Sequence, residues 1–92
     1  MLFATHYQWV GERSKEASAE LMTIFGERGA PPGQVAHYVF ADGSGGFLIA
    51  DESGLDRLYE DALAYSPYLE LETRPVLTID DAVPQIAGWL GG

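Results

Sequence analysis

Apolar residues along the chain recur with two different periods. Four stretches are short and rich in aromatic and β-branched residues, which is typical of β-strands. Two longer stretches carry apolar residues three and four positions apart, which predicts amphipathic α-helices. The predicted strands are residues 2–9, 35–41, 47–51 and 69–79, and the predicted helices are residues 14–28 and 53–66.

The order of these elements is strand, helix, strand, strand, helix, strand. Its clearest part is the hairpin whose turn is Asp42-Gly43-Ser44-Gly45-Gly46. That order is the split βαβ plan of a ferredoxin-like α+β sandwich. We therefore expect residues 1–92 to form one ferredoxin-like domain, with sheet order 4-1-3-2 and both helices on one side. Pro75 cannot donate to a ladder, so the last strand is expected at a sheet edge or broken there.

Residues with capping preferences mark the helix boundaries. Ser14 is the expected N-cap of the first helix, and Gly29 is the expected residue after its end. Ser53 and Asp56 predict a capping box at the start of the second helix, and Asp61 is expected on the outward face of that helix. Carboxylates at 80 and 81 suit the first turn of a short C-terminal helix. Its apolar stripe is Val83, Ile86, Ala87 and Leu90, with Trp89 beside it.

Two helices cover only one face of a four-stranded sheet, and both faces of these strands contain apolar residues. The open face of four such strands measures roughly 350 Å², which matches the largest apolar patches that monomers expose. We therefore expect a homodimer that associates through the open sheet face, because a two-fold contact uses one patch twice. The alternative is that the C-terminal helix folds over that face. Glu70, Glu72 and Arg74 share one side of the last strand, which is typical of a solvated edge.

Charge and composition narrow the classes of partner. The chain has 14 acidic and 5 basic residues and a formal net charge of −9. Such a surface repels phosphate backbones and anionic lipids, so neither nucleic acid nor a membrane is an expected partner. The absence of cysteine excludes disulfides, thiol nucleophiles and thiolate metal sites. The first six residues read as a strand and no segment resembles a membrane span, so the cytoplasm is the expected location.

Four segments carry a resemblance to a known family. They are Met1–Tyr7, Gly46–Asp51, Leu58–Tyr65 and Leu69–Val76. Through them, nearly the whole chain resembles the family known as domain of unknown function 3303. It is also similar to the wider dimeric α+β barrel group, which includes antibiotic-biosynthesis monooxygenase-like and stress-responsive proteins. The resemblance implies two sheets that close into a barrel between subunits, with small-ligand clefts between sheet and helices, and it implies no catalytic residues.

Five residues are the candidates for ligand binding. His6 and His37 can accept a proton near pH 6.5, and Asp51 can act as a base or orient a histidine. Trp9 and Tyr65 can line an aromatic pocket. We expect no metal and no cofactor, because neither histidine has a second ligand at a recognisable spacing. A half-exposed strand histidine, a strand-end carboxylate and core aromatic residues are the structural interpretations of the same positions.

Three functions compete at this point. The first is a small cytoplasmic homodimer that binds a small apolar or aromatic molecule between sheet and helices. The second is a cofactor-free monooxygenase- or isomerase-like enzyme that uses a strand histidine or a carboxylate. The third is a structural or assembly module. The catalytic residues, if there are any, are not identified by the sequence.

Overall fold

The computed structural model describes residues 1–91 of the chain. A four-stranded sheet carries two helices on one side, and a third helix follows the last strand. The strands are β1 (Leu2–Trp9), β2 (Gln34–Val39), β3 (Gly45–Asp51) and β4 (Leu69–Val76). The helices are α1 (Lys15–Arg28), α2 (Leu55–Ala64) and α3 (Ile79–Gly91), and a single 3₁₀ turn, Glu52–Gly54, precedes α2.

The sheet is antiparallel in the order β2-β3-β1-β4, which confirms the ferredoxin-like α+β prediction. Its centre is Thr5 on β1, which is fully buried and lies opposite Leu48 on one side and Thr73 on the other. The Thr5 and Thr73 hydroxyls share a hydrogen bond of 2.8 Å. Pro75 lies on β4, which is an edge strand as predicted.

The ends of α1 follow the capping prediction, whereas the start of α2 does not. The Ser14 hydroxyl accepts a hydrogen bond from the Ala17 amide at 3.0 Å, and Gly29 ends the helix with φ of 68°. The predicted Ser53–Asp56 capping box is absent, because Ser53 lies inside the 3₁₀ turn and α2 begins after that turn without a side-chain cap. The Asp51 carboxylate instead accepts from the Ser53 amide at 2.9 Å.

The core lies under α2. Leu48 and Ala50 of β3 and Leu58 of α2 form a buried cluster. The α1 helix has no buried residue, and its Phe25 is 41% exposed although helical spacing places it on one apolar stripe with Leu21 and Ile24. Because α1 does not pack closely on the strands, a cleft separates this helix from the sheet.

Ionic contacts attach the end of α1 to α2. Asp61 is buried, which corrects the prediction that it faces outward, and its Oδ1 accepts from Arg28 Nε at 2.5 Å and from Arg57 Nε at 3.1 Å. Arg57 also donates to the carbonyl oxygens of Arg28 and Gly29, the last of these at 2.9 Å. One carboxylate thus compensates two half-buried guanidinium groups and holds the C-terminal end of α1 against α2.

Only part of the open face of the sheet is apolar, namely the part formed by β2 and β3. Tyr38 and Phe40 pack their rings on Phe47, with centroid distances of 5.5 and 6.1 Å. These three residues and Ile49, which shares their face, are called the aromatic half below. The β4 side of the same face carries charges, because Glu70, Glu72 and Arg74 alternate with residues that face the helices. The expectation of an apolar open face therefore holds for β2 and β3 and is wrong for β4.

The C-terminal helix α3 does not cover the open face. The molecule measures 55 × 27 × 18 Å, and its radius of gyration of 15.8 Å exceeds the roughly 12 Å of a compact domain of this length. No residue of α3 is buried, and α3 makes no extensive contact with another element. The alternative in which this helix folds over its own sheet is therefore not the arrangement of this chain.

Asp61→Asn is expected to lower the free energy of unfolding by about 2–3 kcal/mol, because it leaves Arg28 and Arg57 without their buried counter-charge. Urea titration monitored by circular dichroism measures this value. The matched control is Glu60→Gln, which removes the exposed partner of Arg28 at 3.5 Å and should cost less than about 0.5 kcal/mol. Equal losses in the two variants would contradict the role assigned to Asp61.

Candidate functional site

The cleft between α1 and the sheet has two neighbouring compartments. The inner compartment has a cavity volume of about 90 Å³ and the outer one of about 360 Å³. Their walls are mainly apolar, since helix α1 contributes aliphatic and aromatic side chains and the sheet supplies most of the rest. The residues that line both compartments are Tyr7, Leu21, Phe25, His37 and Leu69.

Tyr7 and His37 form a hydrogen-bonded pair in the cleft wall. Tyr7 Oη lies 2.7 Å from His37 Nε2, and the two rings meet edge to face. Tyr7 belongs to β1 and His37 to β2, so the phenol has to cross β3. It crosses at Gly46, its direct partner on β3, where an added Cβ would collide with the Tyr38 carbonyl oxygen and with the Tyr7 phenol. A glycine at this position therefore allows the pair to form.

Burial keeps both members of this pair uncharged. It lowers the pKa of His37 and raises the pKa of Tyr7, and the nearby Tyr65 raises the pKa of Tyr7 further. A neutral imidazole carries one proton on either ring nitrogen, and a phenol both donates and accepts. The Tyr7–His37 pair can therefore present a donor or an acceptor to a bound molecule without any net charge.

A β-bulge turns Gln34 into the cleft. Gln34 pairs with Ala50 and Ala36 pairs with Ile49, so Val35 is the extra residue between them. The bulge places Gln34 on the helix-facing side with His37, against the ordinary alternation of the strand. Gln34 lines the inner compartment, and its buried Oε1 has no hydrogen-bond partner among residues 1–91. An unmet buried acceptor costs about 1–3 kcal/mol, so this oxygen favours a donor beside it.

The two other ionisable groups of the inner compartment, Asp61 and Tyr65, add no uncompensated charge to its wall. Asp61 lines it but is paired with Arg28 and Arg57. Tyr65 also lines it, and burial together with the charge of Asp61 raises the pKa of its phenol. At neutral pH the wall therefore presents uncharged phenol, imidazole and amide groups, with the one carboxylate neutralised by its own arginines. This electrostatic environment suits an uncharged molecule.

Three of the five candidate residues meet in the cleft. His37 lines both compartments, Tyr65 lines the inner one, and Trp9 lines the outer one, where its ring lies edge to face with Tyr68 at 6.4 Å. The other two candidates are elsewhere. His6 lies on the open face beside Phe40, at a ring distance of 5.7 Å.

Asp51 also lies outside the cleft. Its carboxylate accepts from the Ser53 amide and hydroxyl, and these hydrogen bonds lower the pKa of Asp51. It therefore acts as the cap of the 3₁₀ turn, which is the structural interpretation given above. The strand register separates His6 from His37 by one intervening strand and places them on opposite faces.

Sequence reasoning missed two residues of the cleft. Tyr7 could have been found, because it alternates with Trp9 on the same side of β1 and because a glycine inside a strand, Gly46, indicates close approach of another group. Gln34 had no signal in the sequence, since strict alternation from His37 places it on the opposite face. Only the bulge at Val35 moves it into the site.

Within residues 1–91, no group of three or more histidine, aspartate or glutamate side chains is arranged to hold a metal ion. No helix in the same range has the length and apolar character needed to cross a membrane. A separate concavity on the open face is lined by His6, Glu72 and Arg74 among others, and it is more polar than the cleft.

Lowering the pH from about 7.5 to about 5.5 is expected to destabilise the wild-type protein more than the His37→Gln variant. The folded state holds His37 at a lowered pKa. Below pH ~6.5 the unfolded chain therefore takes up a proton that the folded chain does not, and the free energy of unfolding decreases as the pH is lowered. Urea titrations at both pH values give the difference. His6→Gln controls for the loss of a histidine, and identical pH dependence in His37→Gln and wild type would contradict the burial effect.

Comparison with known proteins identifies the family of the chain. A family model described as Domain of unknown function (DUF3303) matches residues 1–89. Among curated proteins, none matches the chain. The match covers every strand and both helices that build the cleft, together with most of α3. The chain is therefore a member of the DUF3303 family, as its sequence motifs indicated.

Proposed function

We propose that the protein binds a compact, uncharged and mainly apolar molecule in the cleft between α1 and the sheet, and that this molecule carries an N–H or O–H donor. The observation that supports the proposal best is the buried Gln34 Oε1, an acceptor with no hydrogen-bond partner within residues 1–91 and part of a mainly apolar wall. A donor on the ligand would remove the cost of burying that oxygen. The proposed location is the cytoplasm, on the sequence argument given above.

The size of the cleft suits a molecule of one or two rings. Small-molecule sites usually occupy about 300–1,000 Å³, and the outer compartment of about 360 Å³ reaches that range by itself. The inner compartment of about 90 Å³ leaves room for one small polar group beside Gln34. Leu21 and Phe25 of the loosely packed α1 would form the cover, so binding should also bring this helix closer to the sheet.

Indole is expected to bind about 5- to 30-fold more tightly than indene, which has the same shape but no N–H, because a buried hydrogen bond contributes ~1–2 kcal/mol. Titration of ¹⁵N-labelled protein followed by NMR measures both affinities and shows whether Tyr7, Leu21 and His37 respond. Gln34→Leu should remove the preference for indole.

The matched control for this experiment is Gln8→Leu, the same substitution on the opposite face of the sheet. It should leave both affinities unchanged. Phenol and benzamide extend the test to other donors. If none of the three donor compounds shifts the cleft resonances in the millimolar range, or if Gln8→Leu and Gln34→Leu behave alike, the proposal is wrong.

A second candidate is an enzyme of the cofactor-free isomerase or monooxygenase type, and the Tyr7–His37 pair favours it. A bound carbon acid would lose its proton to Tyr7 Oη while the phenol proton moves to His37 Nε2 across the 2.7 Å hydrogen bond. The products of this step are a carbanion or enolate and an imidazolium. Isomerisation returns the proton to another carbon, whereas a monooxygenase would need dioxygen as its oxidant.

Exchange of the acidic C–H protons of 2-indanone in D₂O tests this second candidate. The wild-type protein should accelerate the exchange measured by ¹H NMR, and both His37→Gln and Tyr7→Phe should lose about 10²-fold or more of the acceleration. His6→Gln, on the other face, should retain it. A wild-type rate equal to that of buffer would leave ligand binding as the only proposed role of the cleft.

We also propose that the protein acts as a homodimer through the open face of the sheet. The aromatic half supports this, since Tyr38 is 61% exposed and three rings stand together on one face. The charged β4 side does not suit the centre of an interface, because charges are depleted there and common at the rim. The contact is therefore centred on β2 and β3, with Glu70, Glu72 and Arg74 at its edge.

A further inference from the structure

Helix α3 carries five large apolar side chains that are each at least half exposed. Its positions 79, 83, 86 and 90 fall on one stripe of the helix, and position 89 lies beside that stripe. The side chains and their exposed fractions are Ile79 70%, Val83 50%, Ile86 51%, Trp89 80% and Leu90 73%. Five large apolar side chains exposed on one helix indicate a docking surface rather than ordinary surface residues.

An isolated α3 would not be stable in water. Helices of 13 residues are marginal even for favourable sequences, and most helical stability in proteins comes from packing. Pro84 lies inside α3, where proline costs about 3 kcal/mol, and Gly88 costs about 1 kcal/mol more. The helix therefore needs a partner for its apolar stripe.

The chain's own sheet is not that partner. Only Leu77 and Thr78 separate β4 from α3, and Thr78 caps the helix through a 3.1 Å hydrogen bond from the Asp81 amide. Two residues span at most ~7 Å, so α3 starts at the edge of the sheet. The helix has no buried residue and makes no extensive contact with the sheet, and the molecule is 55 Å long.

A membrane surface does not fit α3 either. Helices that lie on membranes usually combine their apolar face with lysine and arginine. Helix α3 has neither, and its only charged residues are Asp80 and Asp81 in the first turn. The whole chain carries a net charge of −9, so anionic lipids would repel it.

The aromatic half of a second copy matches the apolar stripe of α3, because both surfaces are apolar, uncharged and of similar length. Tyr38, Phe40, Phe47 and Ile49 carry no charge, and α3 has no charged side chain after Asp81. These two surfaces can therefore meet without bringing the acidic groups of two molecules together. The α3 helix is about 20 Å long, and strands of six or seven residues span about 20–24 Å.

We propose that two copies exchange their C-terminal helices, so that α3 of each copy packs its apolar stripe on the aromatic half of the other. The inference rests on the homodimer proposed above and names the element that makes its contact. Large apolar side chains expose roughly 100–200 Å² each, so two exchanged helices and the sheet surface they cover reach the ~1,600 Å² of a standard interface. The arrangement is two-fold and closed, because each copy gives one helix and receives one.

Substitutions on the full chain test the exchange. Ile86→Glu should raise the dissociation constant of the dimer by about 100-fold or more, because each dimer would bury two unpaired carboxylates. Gln85→Glu adds the same charge on the polar side of α3 and should change that constant by less than about threefold. Tyr38→Glu should weaken the dimer like Ile86→Glu, and Gln8→Glu, on the same face outside the aromatic half, should not. Sedimentation equilibrium measures all four.

Cross-linking identifies which surface α3 contacts, and the lack of native cysteine makes the reaction specific. Protein with Ala87→Cys is mixed with protein with Tyr38→Cys and treated with a short bis-maleimide. The expected product is a cross-linked dimer of the two variants. Replacing Tyr38→Cys by Gln8→Cys should reduce the yield at least about fivefold.

The outcomes separate the exchange from the homodimer itself. A wild-type dimer that keeps its affinity in Ile86→Glu and gives no cross-link from 87 to 38 would overturn the exchange and leave the homodimer standing. A wild-type protein that is monomeric at all concentrations would overturn both. A chain with Ala87→Cys and Tyr38→Cys together that cross-links only to itself, or wild-type protein that floats with phosphatidylserine vesicles, would also overturn the exchange.

Discussion

The buried carboxylate of Asp61 determines how the helix layer sits on the sheet. It lies between Arg28 of α1 and Arg57 of α2, and Arg57 adds hydrogen bonds to the carbonyl oxygens at the end of α1. These contacts hold the C-terminal end of α1 to α2, while the apolar stripe of α1 stays half-exposed. Because α1 is held by ionic contacts at its C-terminal end and packs weakly along the rest of its length, it lies apart from the sheet. The cleft follows from that imbalance.

The cleft combines an apolar wall with a few polar groups that are neutral at physiological pH. Gly46 allows Tyr7 to reach His37, and the bulge at Val35 turns Gln34 toward the same space. Each device has a local cost, since glycine weakens a strand and a bulge interrupts a ladder. Both costs fall at the one place where the sheet faces a loosely held helix, which is consistent with a binding role.

The open face of the sheet and helix α3 also expose apolar residues that nothing in the described chain covers. A sheet with helices on one side leaves a face open, and here that face divides into an aromatic half and a charged half. A C-terminal helix with five exposed apolar side chains leaves a second surface open. In a chain with a net charge of −9, these two uncharged surfaces are where a second copy can approach without strong repulsion. Cleft and open face lie on opposite sides of the sheet, and Phe40 is the residue of the aromatic half that also lines the outer compartment.

The sequence by itself determined the local features. The hydrophobic periods predicted the number and order of the strands and helices, and from that order the sheet arrangement followed. Ser14 and Gly29 marked the ends of α1, Pro75 marked an edge strand, and the motifs indicated the family. Each of these depends on residues a few positions apart, or on an order of elements that few topologies satisfy.

The site depended on contacts that are distant along the chain. Trp9, His37 and Tyr65 were predicted and lie in the cleft, whereas the register placed His6 on the other face and made Asp51 a cap. Asp61 was expected to face solvent, because the i,i+4 pattern could not show that Arg28, 33 residues away, lies above it. Gln34 entered the site through a bulge that breaks the alternation used to read the strand. Tertiary structure alone decided these points. The local period predicts the face on which a side chain lies, but a bulge can change that face, and the strand register and distant charges decide which groups the side chain contacts.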